Sequence, residues 1–303
     1  MVIGVAYVTL YLPNVGPPEN IKVTLTPQRV ARGRYLFNDV MICGDCHSRH
    51  DWSKPIGPTS PENYASGGDI FDAGDGFPGK IQAPNITPFN LKNWTDGEIF
   101  RALTTGERKD GSAMFSLMPW PNYAKMDRED LYAVIAYLRT IPTVATPKYL
   151  KRQLDFPDNI LVNTKPQKAS LGHMPSISDT IAYGAYLINI AGCNGCHSLR
   201  KYGNDIPGLQ YAGGLAFNLG SQTQYAANIT PDKATGIGNW TSAAFVQFFK
   251  SHTDSARKAN PKATIAPSAM PTYDYSEMKV SDLKAIYAYL KSIKPVNHRI
   301  NNL

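Results

Sequence analysis

Apolar residues fall at helical spacing in several stretches. Leu131, Val134, Ile135 and Leu138 recur at the three- and four-residue intervals of a buried stripe, on a helix that starts near Asp127. The stretch from Asp282-Leu283 to Leu290 repeats that pattern 152 residues later. Upstream, Thr26-Pro27 supplies an N-cap and a proline at the first helical position, opening a helix through Val30, Gly33 and Tyr35-Leu36 toward Met41. Thr95 and Glu98 form a capping box ahead of Ile99 and Leu103, and Gly106 ends that helix. Residues 48–84 are rich in Gly and Pro and read as loop and short strand. Residues 1–12 are apolar apart from Tyr and Thr, too short to span a bilayer, and lack the basic start and cleavage site of a signal peptide. They read either as the tail of an anchor or as a strand packed on the first domain.

The polar punctuation repeats as well. Asn85-Ile86-Thr87-Pro88 is answered by Asn228-Ile229-Thr230-Pro231, and Trp94-Thr95 by Trp240-Thr241. Gly67-Gly68-Asp69-Ile70-Phe71 is answered by Gly213-Gly214-Leu215-Ala216-Phe217. The elements persist while loop lengths vary, which fits an internal duplication. We expect an N-terminal arm at 1–25, one domain at 26–144, a Lys- and Pro-containing linker at 145–175 and a second domain at 176–303.

The 303 residues accommodate two domains, and the charged fraction is only 18% beside 24 Gly and 23 Pro. Such a composition suits compact, loop-rich domains in which a bulky cofactor replaces part of the core. The net charge of +7 comes without aromatic-basic motifs, so nucleic acid is not an expected partner; docking to acidic redox proteins is.

All four cysteines lie in two copies of Cys-x-x-Cys-His: Cys43, Cys46 and His47, then Cys193, Cys196 and His197. This is the attachment pattern for c-type haem, with two thioethers to the porphyrin and a histidine on the iron. A redox disulfide or a zinc site is the alternative reading of the cysteine pairs. Two haem c groups, each with its iron, are therefore expected, and their propionates bring the loaded protein nearer to neutral. Haem attachment on the outer side of the energy-coupling membrane leads us to expect a periplasmic or outer-face location and an export signal or membrane anchor ahead of this sequence.

The sixth iron position calls for a second ligand, and thioether sulfur there favours ferrous iron. Met114, Met118 and Met126 are the candidates in the first half. A shift of 152 residues places Met118 on Met270 and Met126 on Met278, whereas Met114 falls on Ala266. Met126 and Met278 stand at the threshold of the last helices and read as core. Met118 and Met270 sit in proline-stiffened loops, so the expected pairs are His47 with Met118 and His197 with Met270. The remaining histidines, His50 among them, have no repeat partner and read as surface residues.

With these residues the chain resembles class I cytochrome c domains, duplicated into a dihaem cytochrome c, over about residues 26–144 and 176–296. The Asn-Ile-Thr-Pro, Trp-Thr and Met-Pro segments look like those of the cytochrome c subunits of membrane-bound alcohol and gluconate dehydrogenases and related membrane-anchored dihaem cytochromes. Those dehydrogenase subunits usually carry three haems, against two motifs here. The resemblance implies a mainly α fold: two tandem class I cytochrome c domains, each a few helices and long loops wrapped around one covalent haem c. It implies a helix crossing at Gly33 with Tyr137 and at Gly184 with Tyr289. It implies that Pro58 and Pro207 offer carbonyls to the ligand histidines, and that Trp94, Trp240, Asn85 and Asn228 donate to propionates.

The resulting expectation is an electron carrier rather than an enzyme. Its donor would be a dehydrogenase or quinol-oxidising complex, and its acceptor a terminal oxidase or another cytochrome. Trp120-Pro121 stands where the second half has Thr272-Tyr273, so unequal haem potentials are expected. The rivals are a dihaem peroxidase-like enzyme with one open haem and a permanent electron-transfer subunit of a dehydrogenase or respiratory complex.

Overall fold

The computed structural model describes residues 2–53, 57–146, 149–201, 204–219, 222–253 and 268–300. Ala266, the counterpart of Met114, and Pro147 and Lys148 of the expected linker lie outside them. The chain divides into two compact units. One holds residues 1–38, 43–51 and 58–173; the other holds 174–303 with the short segments 39–42 and 52–57.

The first unit contains α1 (Val2–Leu10), α2 (Pro27–Tyr35), α3 (Cys43–Cys46), α4 (Pro88–Leu91), α5 (Asp96–Thr105), α6 (Trp120–Tyr123), α7 (Arg128–Leu138) and α8 (Asp158–Leu161). Three short strands, β1 (Ile70–Phe71), β2 (Gly79–Gln82) and β3 (Gln153–Leu154), pair antiparallel in that order. Thr26 caps α2 by accepting the Arg29 N–H at 3.2 Å, and the chain then widens into a π-helical turn at Leu36–Val40. Asp127 caps α7 through the Glu129 N–H.

Helices α2 and α7 cross against one another and form the centre of this unit. The stripe Leu131, Val134, Ile135 and Leu138 is buried, as are Leu36 and Phe37. Burial of side chains this size stabilises by about 1.5–3 kcal/mol each. Arg32 spans the crossing with a two-pronged ion pair to the buried Asp130, both contacts at 2.8 Å. The α5 capping box is formed by Thr95 and Glu98, and Gly106 closes the helix at φ 77°, a left-handed value natural to glycine.

The segment before α2 is fastened along this frame. The Val15 N–H donates to Glu107 at 3.0 Å and the Val23 N–H to Asp96 at 2.8 Å. The first residues form helix α1, not a strand: an uncharged nine-residue run satisfies its backbone internally and packs on α8, while Val5, Tyr7 and Leu10 stay exposed. Among the described residues, no helix is long and apolar enough to cross a membrane. The segment after α7 is held to the unit by β3 and by the Leu150 N–H, which donates to Gln82 at 2.7 Å.

The second unit contains α9 (Thr180–Ile190), α10 (Cys193–His197), α11 (Ser242–Lys250), α12 (Thr272–Tyr275) and α13 (Val280–Ser292). Its strands pair as two hairpins, β4 (Arg200–Lys201) with β5 (Asn204–Asp205) and β6 (Ala216–Leu219) with β7 (Gln222–Tyr225). Helices α9 and α13 cross at its centre, burying Leu187, Ile188, Ile190, Leu283 and Leu290. The buried Asp282 occupies the place of Asp130, but its partner across the helices is the Tyr183 hydroxyl at 3.4 Å instead of an arginine.

Candidate functional site

Each Cys-x-x-Cys-His run forms one helical turn, and the residue ahead of it is left-handed in both: Ile42 at φ 45° and Gly192 at φ 71°. All four cysteines are free thiols, Cys46 and Cys196 exposed and Cys43 buried. Burial pushes the Cys43 and Cys193 thiols up to about 12, so they stay protonated. Among the described residues, no group of three or more His, Cys, Asp or Glu side chains is placed to hold a metal ion.

The two histidines are buried and held alike. His47 Nδ1 donates to the Pro84 carbonyl at 2.7 Å, and His197 Nδ1 donates to the Ala227 carbonyl at 2.7 Å. A carbonyl can only accept, so the proton sits on Nδ1 and the Nε2 lone pair is left for a metal. Burial lowers the His47 pKa to about 4; the Pro84 carbonyl opposes this and the Arg108 charge adds to it. Burial likewise lowers that of His197. Both imidazoles are therefore neutral at pH 7, the form that binds iron.

These bonds correct the expectation for Pro58 and Pro207. The Pro58 carbonyl accepts instead from the Asp51 N–H at 3.1 Å, and Pro207 is exposed. The loops after the motifs return to the histidines only 37 and 30 residues later, just ahead of Asn85 and Asn228. Those asparagines are corrected too. The Asn85 amide donates to the Val144 carbonyl at 2.8 Å and to the Thr146 hydroxyl at 3.0 Å, while its Oδ1 accepts from Thr87. Asn228 donates to the Val296 carbonyl at 2.8 Å and to Thr235 at 2.9 Å, and its Oδ1 accepts from Thr230. Both amide donors being spent inside the protein, the side chains brace the acceptor loops and have no N–H left for a propionate.

The surroundings repeat beyond what the sequence pattern showed. Ser48 Oγ accepts the N–H of Ala65 and Ser198 Oγ that of Tyr211, and these two residues are both left-handed without being glycine, at φ 59° and 60°. The carbonyls of His47 and His197 accept from Gly67 and Gly213, each at 2.8 Å. Sequence reasoning missed these serines, although a Ser after each Cys-x-x-Cys-His was visible.

Met126 and Met278 are fully buried in the core, whereas Met118 and Met270 are only half-buried. The carbonyl of Met118 accepts from the Trp120 N–H at 2.8 Å and that of Met270 from the Thr272 N–H at 2.7 Å, so both loops turn alike into a short helix. Trp120 is buried, and its indole Nε1 is a donor with no acceptor among the described residues. Trp94 is half-buried, and Trp240, partly exposed, packs edge-on against Phe248 with centroids 5.8 Å apart.

His50 is not a surface residue. Its ring lies between Asp69, 2.8 Å from Nδ1, and Asp45, 2.9 Å from Nε2. Burial works against its charge, but the two carboxylates outweigh burial and lift its pKa to about 9.

Residues 181–294 match the cytochrome c family model. Over 283 residues, 88% of its length, the chain is 28% identical to the cytochrome c subunit of a quinone-dependent alcohol dehydrogenase from Gluconacetobacter polyoxogenes, covering 56% of that protein. It is 27% identical over 289 residues to the fructose dehydrogenase cytochrome subunit of Gluconobacter japonicus, 91% of this chain and 55% of that one. A diheme c-type cytochrome of Cereibacter sphaeroides is 29% identical over 133 residues, 43% of this chain and 40% of that protein. The chain spans about half the length of the dehydrogenase subunits it matches. These relatives carry the names of cytochromes or cytochrome subunits, not of catalytic subunits.

Proposed function

We propose that the chain is a dihaem c-type cytochrome that passes electrons between redox proteins on the outer face of the cytoplasmic membrane. The observation that carries this reading is the doubled histidine geometry. Twice, a His next to a pair of free thiols gives its Nδ1 proton to a carbonyl at 2.7 Å and keeps Nε2 available. The donor set fits haem c: two thiols for thioethers, a neutral imidazole and a half-buried methionine in each unit. When bound, haem c supplies a one-electron iron couple.

The protein's own residues set how that couple behaves. His47 and His197 would bind the iron through Nε2 with fixed ring orientation, because their Nδ1 protons are committed to backbone. Met118 and Met270 would supply the second ligand to each iron, which would favour electron transfer over peroxide chemistry. Asn85 and Asn228 stiffen the loops carrying the acceptor carbonyls. Cys43, Cys46, Cys193 and Cys196 make the attachment permanent. The names of the relatives favour a dehydrogenase as the electron donor and a standing partnership with it.

The test is expression with c-type haem maturation, haem counting per chain, and oxidised and reduced spectra. Two haems, a sharp reduced α-band and a near-infrared sulfur-to-iron band support the assignment. A single high-spin haem would move the reading to a peroxidase-like enzyme. Absence of covalent haem would overturn it.

A further inference from the structure

We propose that the outer face of α11, formed by Trp240, Ala244, Gln247 and Phe248 together with Val280 of α13, seats an apolar, uncharged surface of the dehydrogenase that donates electrons to this chain. This rests on the reading above of a standing dehydrogenase partner and says where that partner is held.

The repeat supplies the comparison. In the first unit the matching helix, α5, is covered by the segment ahead of α2. The Val23 N–H donates to Asp96 at 2.8 Å, Arg101 Nη1 donates to the Gly16 carbonyl at 3.2 Å, and Glu19 pairs with Arg128 at 2.7 Å. Main chain lies so close on α5 that a methyl group built on Gly97 would stand 1.8 Å from the Glu19 carbonyl oxygen.

In the second unit each of these fastenings is an uncharged side chain. Counting from the Trp-Thr pairs and from the last helices, Ser242 stands for Asp96, Gln247 for Arg101 and Val280 for Arg128, while the Ala243 methyl stands where Gly97 admits main chain. The segment that would serve as the cover is engaged elsewhere. Aligned on the crossing glycines Gly33 and Gly184, residues 166–173 match 15–22, and they are bonded within the first unit: the Gln167 N–H donates to the Thr105 carbonyl at 3.1 Å and the Gly172 N–H to the Lys125 carbonyl at 3.2 Å.

The face of α11 is thus left open. Trp240 and Phe248, edge-on with centroids 5.8 Å apart, are each 38% exposed, and Val280 is 44% exposed. Ala243, Ala244 and Gln247 are exposed beside them. From Ala234 to Phe249 the sequence holds no charged residue, and Lys250 turns inward to the carbonyls of Ser276 and Met278. Charge returns at the rim with the exposed Lys284. In a chain of net charge +7 this absence selects the kind of partner. A passing redox partner is steered by complementary charge. Aromatic residues with charge depleted around them mark the core of a lasting interface, and an uncharged partner surface buries no unpaired charge there.

The experiment charges this face with residues the fold already uses: Ala244→Glu and Val280→Arg bring in what Glu98 and Arg128 are in the first unit. Glu98 completes the capping box of α5, so Ala244→Glu is compatible with its helix. Lys165→Glu, at an exposed site in the first unit, is the surface-charge control. Haem-loaded chains are made in the native host lacking the wild-type copy, and the membranes are given ethanol, fructose or gluconate, one at a time. The readouts are the rate of haem reduction and the amount of the substrate-oxidising subunit, identified by mass spectrometry, that stays with the purified chain at raised salt. Wild type and Lys165→Glu should be reduced alike and hold that subunit. Ala244→Glu and Val280→Arg should keep haem count and spectra but lower both readouts at least about tenfold, the scale of a charged interface core. Unchanged reduction and retention in both variants would overturn the docking face and leave the cytochrome reading standing. So would a wild-type complex that falls apart at raised salt, the mark of charge-steered docking. Self-association of the purified chain that these variants abolish would give the face to a second copy and overturn the proposal. Wild-type haem that none of the three substrates reduces would overturn the donor reading and the face with it, and a chain without covalent haem would overturn the cytochrome reading as well.

Discussion

Gly33 lies against the main chain of Ala133: a methyl group built on its Cα would stand 1.8 Å from the Ala133 carbonyl oxygen and 2.9 Å from Cβ of Tyr137. Gly184 repeats this against Ala285, at 2.0 Å, and Tyr289. The obstacle is backbone, which cannot rotate away. Gly184→Ala is expected to cost about 1–3 kcal/mol by forcing the crossing helices apart. Chemical denaturation of the haem-loaded protein measures it, with Gly4→Ala, where nothing lies within 4 Å, as the neutral control.

Asn228 satisfies the Val296 carbonyl, Thr235 and both polar atoms of Thr230. Replacing it with alanine strands several buried groups at once, and each unsatisfied group costs about 1–3 kcal/mol. We expect Asn228→Ala to lower stability by about 2–4 kcal/mol in thermal or denaturant unfolding. A change under about 0.5 kcal/mol, ordinary for a surface substitution, would contradict the bracing role.

His50 between Asp45 and Asp69 has its pKa raised to about 9 from 6.5. The folded state therefore holds this proton more tightly than the unfolded chain. The stabilisation is fully present below pH 6.5 and is lost as pH rises through 9. Partial exposure of the two carboxylates reduces it to on the order of 1–2 kcal/mol. Melting curves of wild type and His50→Gln should differ most at mildly acidic pH and converge in alkali; a constant gap would refute the pairing.

On the proposed His/Met ligation, replacing one of the two loop methionines should open one iron. Met118→Ala and Met270→Ala are each expected to retain both haems, lose about half of the near-infrared sulfur-to-iron band, and bind carbon monoxide at one reduced haem per chain. If Met114→Ala does this while Met118→Ala does not, the ligand in the first unit has been assigned to the wrong sulfur.

Caps and stripes were legible because they are local. Thr26, Thr95, Asp127 and the apolar run from Leu131 to Leu138 announce their helices within a few residues, and the structure has them there. The crossing at Gly33 followed from the resemblance. What escaped was settled by loops closing over long separations. Pro84 and Ala227 meet the histidine rings through backbone carbonyls, which every residue owns and no side-chain pattern marks. The amides of Asn85 and Asn228 looked available because their acceptors, Val144 and Val296, lie 59 and 68 residues away. His50 lacked a repeat partner, and its carboxylates are joined to it only by the fold.

The asparagine brace also bears on where either repeat could be cut out and used alone. Asn85 donates to Val144 and Thr146, both beyond α7, and Asn228 donates to Val296, beyond α13. A fragment trimmed at Leu138 or Ser292 would look whole by its helices, yet would leave the carbonyl-bearing loop unfastened beneath the histidine. The smallest self-sufficient module of this architecture is therefore longer than its helical core by a tail, and grafts or truncations should be drawn past that tail.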